Sequence, residues 1–243
     1  MTPRHTLAIA QRVLLQLRHD RRTLALLVVV PSLLMGLLAW MLSQPTYDQY
    51  GPMLLGIFPL LVMFLVTSVA TLRERTTGTL ERLLTLPIGK ADIVGGYAVA
   101  FGSLAVVQAL VVSGLAFGLF DLHVAGSPWL VVVVAVANAV LGTALGLCVS
   151  AFASTEFQAV QFMPAVLLPQ LLLCGFVVPR PELPPALEAV SAVMPLSYAI
   201  DAVNEVVQSA EVTVTYTASL AVVLGFVVVL LALGSATLRR RTA

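Results

Sequence analysis

Chemistry in this chain has few places to reside, and the densest is Arg73-Glu74-Arg75, echoed seven residues later by Glu81-Arg82. Seven residues are almost two helical turns. On one continuous helix Glu74 and Glu81 would fall nearly on one stripe and Arg75 and Arg82 on the next, with Leu80, Leu83 and Leu84 on a separate apolar face. Paired charges of this kind do ion-pair chemistry: they suit docking against a complementary protein face, not bond cleavage or group transfer. The same pattern also suits a solvated connector between two helices, and the residue types alone leave both readings open. Gly78 weakens such a helix locally, and Pro87 ends it near Leu86.

Other chemistry is excluded by placement. All twelve acids lie outside the long apolar stretches or at their edges, and His5, His19 and His123 lie outside them too. A proton- or sodium-coupled carrier needs an ionisable relay inside the membrane. A metalloprotease needs His and carboxylate ligands at helical spacing. Ser and Thr residues within the apolar stretches have no nearby His or Lys to act as base. Gly89-Lys90 is followed by Ala91, and Leu84 stands where a phosphate-binding loop would begin with glycine, so the chain is not expected to cradle ATP. Cys148 and Cys174 sit in apolar stretches, where a thiol behaves as a small packed hydrophobe. No metal, cofactor, disulfide or thiol catalysis is expected.

Polar residues do occur within the apolar stretches: Gln108, Ser113, Asn138, Thr143, Gln158, Gln161 and Gln170. Such side chains form hydrogen bonds between membrane helices or line a path. On an ideal helix Gln158 and Gln161 are about 60° apart while Gln170 lies opposite Gln161, so they define no single stripe unless Pro164 and Pro169 rotate the two halves. Gly114-x-x-x-Gly118 and Gly142-x-x-x-Gly146 are small-residue spacings suited to close helix packing.

The elements that must position these residues follow from composition. The chain has 243 residues, 59% hydrophobic and 10% charged, with a mean hydropathy of +1.00, outside the range of soluble domains. This length suits one membrane domain without an added soluble module. Six stretches reach the roughly 20 apolar residues that a membrane helix needs: 23–42, 52–72, 93–120, 129–153, 157–178 and 213–238. The first is too long for a signal-peptide core and lacks a small-x-small cleavage site, so it is expected to remain as a span.

Twelve of the thirteen Lys and Arg fall in residues 1–22, 73–92 and 239–241. Basic residues beside membrane spans stay in the cytoplasm, which predicts six crossings with both termini cytoplasmic. Trp40, Tyr47, Tyr50, Trp129 and Tyr216 then lie at the outer ends, where amphipathic rings prefer the headgroup level. A net charge of +1 with basic residues bordering the membrane forms no nucleic-acid patch. Leu7, Ala10, Leu14 and Leu17 define an apolar face on a basic N-terminal helix over 1–22, suited to the membrane interface or to a topology anchor. Between 179 and 212, prolines interrupt two short helical patterns, one carrying Leu187, Val190, Val193 and Met194 and the other Ile200, Val203 and Val207. The expected fold is an all-α polytopic membrane protein with an interface helix, a cytoplasmic segment over 73–92 and two short external helices over 179–212 that lie against the outer leaflet or dip into it.

Three runs carry a family resemblance: LRHDRRTLALLVVVPSLLM (17–35), RERTTGTLERLLTLP (73–87) with the following GKADI, and CGFVVPRPELPPALEAVSAVMPLSYAIDAVNE (174–205). Together they resemble the permease subunits of type-2 ABC exporters, the family of daunorubicin-resistance and polysaccharide-export permeases. The resemblance implies a six-span half-transporter that pairs with a second permease copy or a paralogue and with two separate ATP-binding subunits, which carry ATP and magnesium. It implies an ATPase-coupling interface made by the N-terminal segment and by Arg73, Glu74, Arg75, Gly78, Glu81, Arg82 and Leu83, with Glu156 in a smaller contact. It further implies that the external helices over 179–212 are re-entrant, a bacterial plasma-membrane location among membrane lipids, and export of a hydrophobic drug, lipid or lipid-linked substrate. Many members have Arg after the Tyr-x-x-Asp-Ala run, where this chain has Asn204. The competing expectations are an integral membrane enzyme acting on lipids, which would need Asp, Glu or His pairs near the membrane, and a non-transporting scaffold.

Overall fold

The computed structural model describes residues 3–85 and 88–237, and among them every regular element is helical. Leu86, Pro87 and Arg239–Arg241 lie outside the described residues, as do the side chains of Glu81 and Leu84.

Helices run through each of the six apolar stretches. Five are long and apolar enough to cross a membrane: α2 (Arg21–Met41), α3 (Gln44–Thr76), α5 (Lys90–Gly118), α6 (Pro128–Ser150) and α10 (Val214–Thr237, apolar through Ala236). Two shorter helices, α1 (Pro3–His19) and α4 (Thr79–Thr85), lie at the end of the bundle where basic residues collect. The stretch expected over 157–178 forms α7 (Glu156–Leu173), which stops at Cys174 and is not among those five. Three glutamines and two prolines dilute its apolar content. Beyond it come a 3-10 turn (Arg180–Glu182), α8 (Pro185–Ser191) and α9 (Pro195–Gln208). The last two form a bent pair at 91°, which makes a sixth candidate span if counted as one.

The prolines explain several boundaries. Pro45, Pro128, Pro185 and Pro195 open helices, where the missing N–H would have no intrahelical partner. Asp20 caps α2: its carboxylate accepts from the Thr23 amide at 3.2 Å and the Thr23 hydroxyl at 2.7 Å. These bonds, led by the hydroxyl, hold the Asp20 pKa below its ordinary value. Helix α3 is 33 residues long, about 50 Å by helical rise, well beyond the ~30 Å of a bilayer core. It therefore starts before the expected residue 52 and carries its last turns past the apolar zone.

Helices α3 and α6 form the centre, at backbone contact. A Cβ on Gly142 would meet the Leu60 carbonyl oxygen at 2.3 Å, and one on Gly146 would meet that of Phe64 at 2.6 Å. This small-x-x-x-small spacing is a packing device. Gly114 and Gly118, with the same spacing on α5, have nothing within 4 Å of such a Cβ. Helix α2 is peripheral, burying Leu27, Pro31 and Met35, and is tied to α5 by Gln108 Nε2 donating to the Leu27 carbonyl at 2.8 Å.

The N-terminal helix buries a face shifted slightly from the expected one: Ala10 and Leu17 are buried and Leu14 packs on the core as expected, but Leu7 does not join them. Ile9, Ala10, Val13 and Leu17 are buried, while Leu7 is 61% exposed. The cause is a notch in α5: a Cβ on Gly96 would fall 2.6 Å from Ile9 Cβ, so only glycine lets α1 seat this way. Helix α9 is buried along Leu196, Ala199, Ile200 and Val203, whereas Leu187, Val190 and Val193 around α8 are exposed. The expected pair of short helices is thus one packed member and one surface member.

Candidate functional site

The charged segment is not one continuous helix. Gly78 takes φ +74°, a conformation open to glycine without strain, and turns the chain between α3 and α4. Thr76 and Thr77 hydroxyls donate to the Arg73 carbonyl at 3.0 and 2.9 Å and close the end of α3. The stripes drawn through Glu74 and Glu81 or Arg75 and Arg82 therefore do not persist, because the two halves sit on different helices.

Arg73, Glu74 and Arg75 each bond a different neighbour. Consecutive helical residues diverge by about 100°, so a triplet reaches three directions. Arg73 pairs with Glu156 at the start of α7, its Nε 3.0 Å from Oε1. Glu74 is buried, and its carboxylate is ion-paired with Arg12 of α1 and accepts from the Tyr97 hydroxyl of α5. Arg12 Nη2 also donates to the Tyr97 oxygen at 3.3 Å. Arg75 donates to the Ser150 carbonyl at the end of α6. Thr6 adds a 3.4 Å bond from α1 to Asp92 of α5.

On α4, Leu80 is buried and Leu83 packs on the core, while Arg82 is exposed. Of the charges singled out from sequence, Arg73, Glu74, Arg75 and Glu156 are engaged with one another or with the bundle. Gly78 and Arg82 lie on the turn and the short helix at this end. Glu81 belongs to α4, its side chain lying outside the described residues. Sequence reasoning missed Arg12 and Tyr97. Arg12 lies in the basic N-terminal segment over 1–22, which was a usable signal. Nothing about Tyr97 singled it out.

The three glutamines are not brought together. Thr155 Oγ1 accepts from the Gln158 amide at 3.2 Å while Gln158 Oε1 accepts from the Ser154 amide at 2.8 Å, a reciprocal cap at the start of α7. Gln161 is exposed. Gln170 is buried, bonds the Val166 carbonyl at 3.2 Å and leaves its Oε1 without a partner. Asn138 is fully buried opposite Gly56 with neither side-chain polar atom bonded.

At the opposite end a second charged cluster forms. Arg180 ion-pairs with Asp201, donates from Nε to Ser191 Oγ at 3.1 Å and lies over the Tyr198 ring, 5.4 Å from its centroid. The Tyr198-x-x-Asp201 run thus meets a positive charge from the preceding 3-10 turn, with Asn204 in the place where many permeases carry Arg. Arg180 was legible as the lone basic residue in a segment with five acids.

The model of the ABC-2 type transporter family matches residues 4–207 of this chain. Over 155 residues the chain is 28% identical to the "Probable multidrug ABC transporter permease YbhR" of Escherichia coli K12, covering 64% of this chain and 42% of that protein. Over 141 residues it is 29% identical to "ABC transporter G family member 20" of Dictyostelium discoideum, covering 58% of this chain and 19% of that protein. The matched part is thus less than half the length of either relative. With the three sequence runs, the all-helical bundle and a family match over most of its length, the chain belongs to the ABC-2 type transporter membrane family.

Proposed function

We propose that this chain is the transmembrane permease subunit of an ATP-driven exporter, coupled to a separate ATP-binding subunit in two copies and paired with a second permease copy or paralogue. It sits in a bacterial plasma membrane with both termini in the cytoplasm, and ATP and magnesium are held by the partner. The observation that carries this reading is the end of α3. It runs past the apolar zone, turns at Gly78 and presents α4 with Arg82 outward, on a base tied to α1, α5, α6 and α7. A surface on so braced a base can pass force into the bundle, whereas a merely solvated connector would need no bracing.

The substrate class we favour is a hydrophobic drug, a lipid or a lipid-linked molecule. The Escherichia coli relative is named as a multidrug permease, and the bundle's buried interior is dominated by Leu, Ala, Val and Ile. The test is co-purification in detergent with a candidate ATP-binding subunit, followed by ATPase measurement with and without the permease. A stable complex with altered turnover supports the proposal. An intact, folded permease that retains no ATPase refutes it.

A further inference from the structure

We propose that Glu74 and Arg75, with Arg73 on their exposed flank, form an internal junction and not part of the ATPase-binding surface, and that Arg12 and Tyr97 are the positioning residues that make α1 move as one body with α3 and α5. This inference rests on the ATP-coupled permease reading and divides its interface in two: a docking surface on the 76–85 turn and helix, and a transmission clamp behind it.

Three observations carry the division. First, the Glu74 side chain is only 8% exposed and both its partners come from other helices, so its charge is already neutralised inside the chain. A carboxylate so held offers little to an outside partner, because binding would first have to break a desolvated pair. Second, α1 is held at two adjacent points: Ile9 sits in the Gly96 notch less than one turn from where Arg12 reaches Glu74. Contact at the notch and an ion pair at the clamp resist both rotation and lift. Third, Arg75 and Arg73 extend the same junction to α6 and α7, and α6 is in backbone contact with α3 at Gly142 and Gly146. A displacement of α1 imposed at the basic end therefore reaches α3, one of the central pair, through one buried carboxylate.

Arg12→Gln and Tyr97→Phe remove the two sides of the clamp without touching α4. The complex of permease and ATPase in lipid nanodiscs is loaded with magnesium, ATP and orthovanadate, and the change in tryptophan fluorescence is recorded. Trp40 and Trp129 are the only tryptophans of the permease and lie exposed at the far end of the bundle, and double Trp-to-Phe replacement gives the partner's share of the signal. Arg12→Gln is expected to retain the ATPase subunit at wild-type stoichiometry while the equilibrium constant for the far-end change falls about tenfold, within the range of typical coupling energies, and the far-end signal falls with it. Tyr97→Phe, which deletes only a hydroxyl and keeps the fold, should lower it severalfold, and Arg12→Glu with Glu74→Arg should restore part of it.

A wild-type signal in both Arg12→Gln and Tyr97→Phe overturns the clamp. Loss of the ATPase subunit from folded Arg12→Gln overturns the division between clamp and docking surface. Failure of the wild-type permease to hold an ATPase is a different result, and it refutes the permease reading itself.

Discussion

Replacing Gly142 with Ala should separate the two central helices. The added Cβ would lie 2.3 Å from the Leu60 carbonyl oxygen and 3.0 Å from Leu60 Cα, all backbone atoms that cannot rotate away. Relief requires roughly 1 Å of extra distance between α3 and α6, and a gap of that size forfeits a quarter to a half of each dispersion contact it crosses. Overpacking of this kind costs about 1–3 kcal/mol. For a chain of this size that corresponds to a fall in melting temperature of roughly 2–12 °C. The control is Gly114→Ala, with the same motif spacing but nothing within 4 Å. There the better helix propensity of alanine should leave stability unchanged or raise it by up to about 1 kcal/mol. The assay is thermal unfolding of the purified permease in one detergent, followed by tryptophan fluorescence. Equal destabilisation by the two substitutions would refute the argument that backbone contact, rather than the motif, sets the cost.

Three further outcomes are expected. Arg82→Glu should weaken retention of the ATP-binding subunit in pull-down while leaving the permease melting temperature within about 2 °C, since exposed substitutions change stability little. Arg180→Ala should lower thermal stability by about 1–3 kcal/mol, because Asp201 would lose its partner in a partly buried site, and Arg180→Lys should not restore it, since a point charge cannot bridge Ser191 and Asp201 while lying over Tyr198. Asp20→Ala should cost about 1 kcal/mol by removing the cap of α2. Because the pKa of Asp20 is lowered in the fold, the cap's contribution is present above the ordinary value of 3.8 and is lost as pH falls through the lowered one. Wild type and Asp20→Ala should therefore converge in melting temperature at strongly acid pH.

Much of the element list was legible in the chain itself. A helix inside a bilayer must satisfy its own backbone, so a long apolar run can hardly be anything else. The runs over 23–42, 93–120 and 129–153 accordingly lie within a few residues of α2, α5 and α6. Prolines between 179 and 212 were legible as interruptions, and Pro185 and Pro195 open α8 and α9 because a missing N–H costs nothing in the first turn. Gly78 was legible as a weak point but not as a turn, since a glycine is compatible with either until its φ is known.

The roles of individual charges belong to the other category. Arg73, Glu74 and Arg75 read identically as solvated or docking charges, and their use inside the bundle depends on Glu156, Arg12, Tyr97 and Ser150, which are between 23 and 83 residues away in the chain. Gly142 and Gly114 share one local pattern and opposite environments, and the inward face of α1 was decided by a notch on α5. Local sequence determines where the chain must be helical and which ends collect positive charge, because backbone satisfaction and hydropathy act residue by residue. Which side chain meets which is decided only when the helices pack, because close contact and desolvated ion pairing are properties of two surfaces at once.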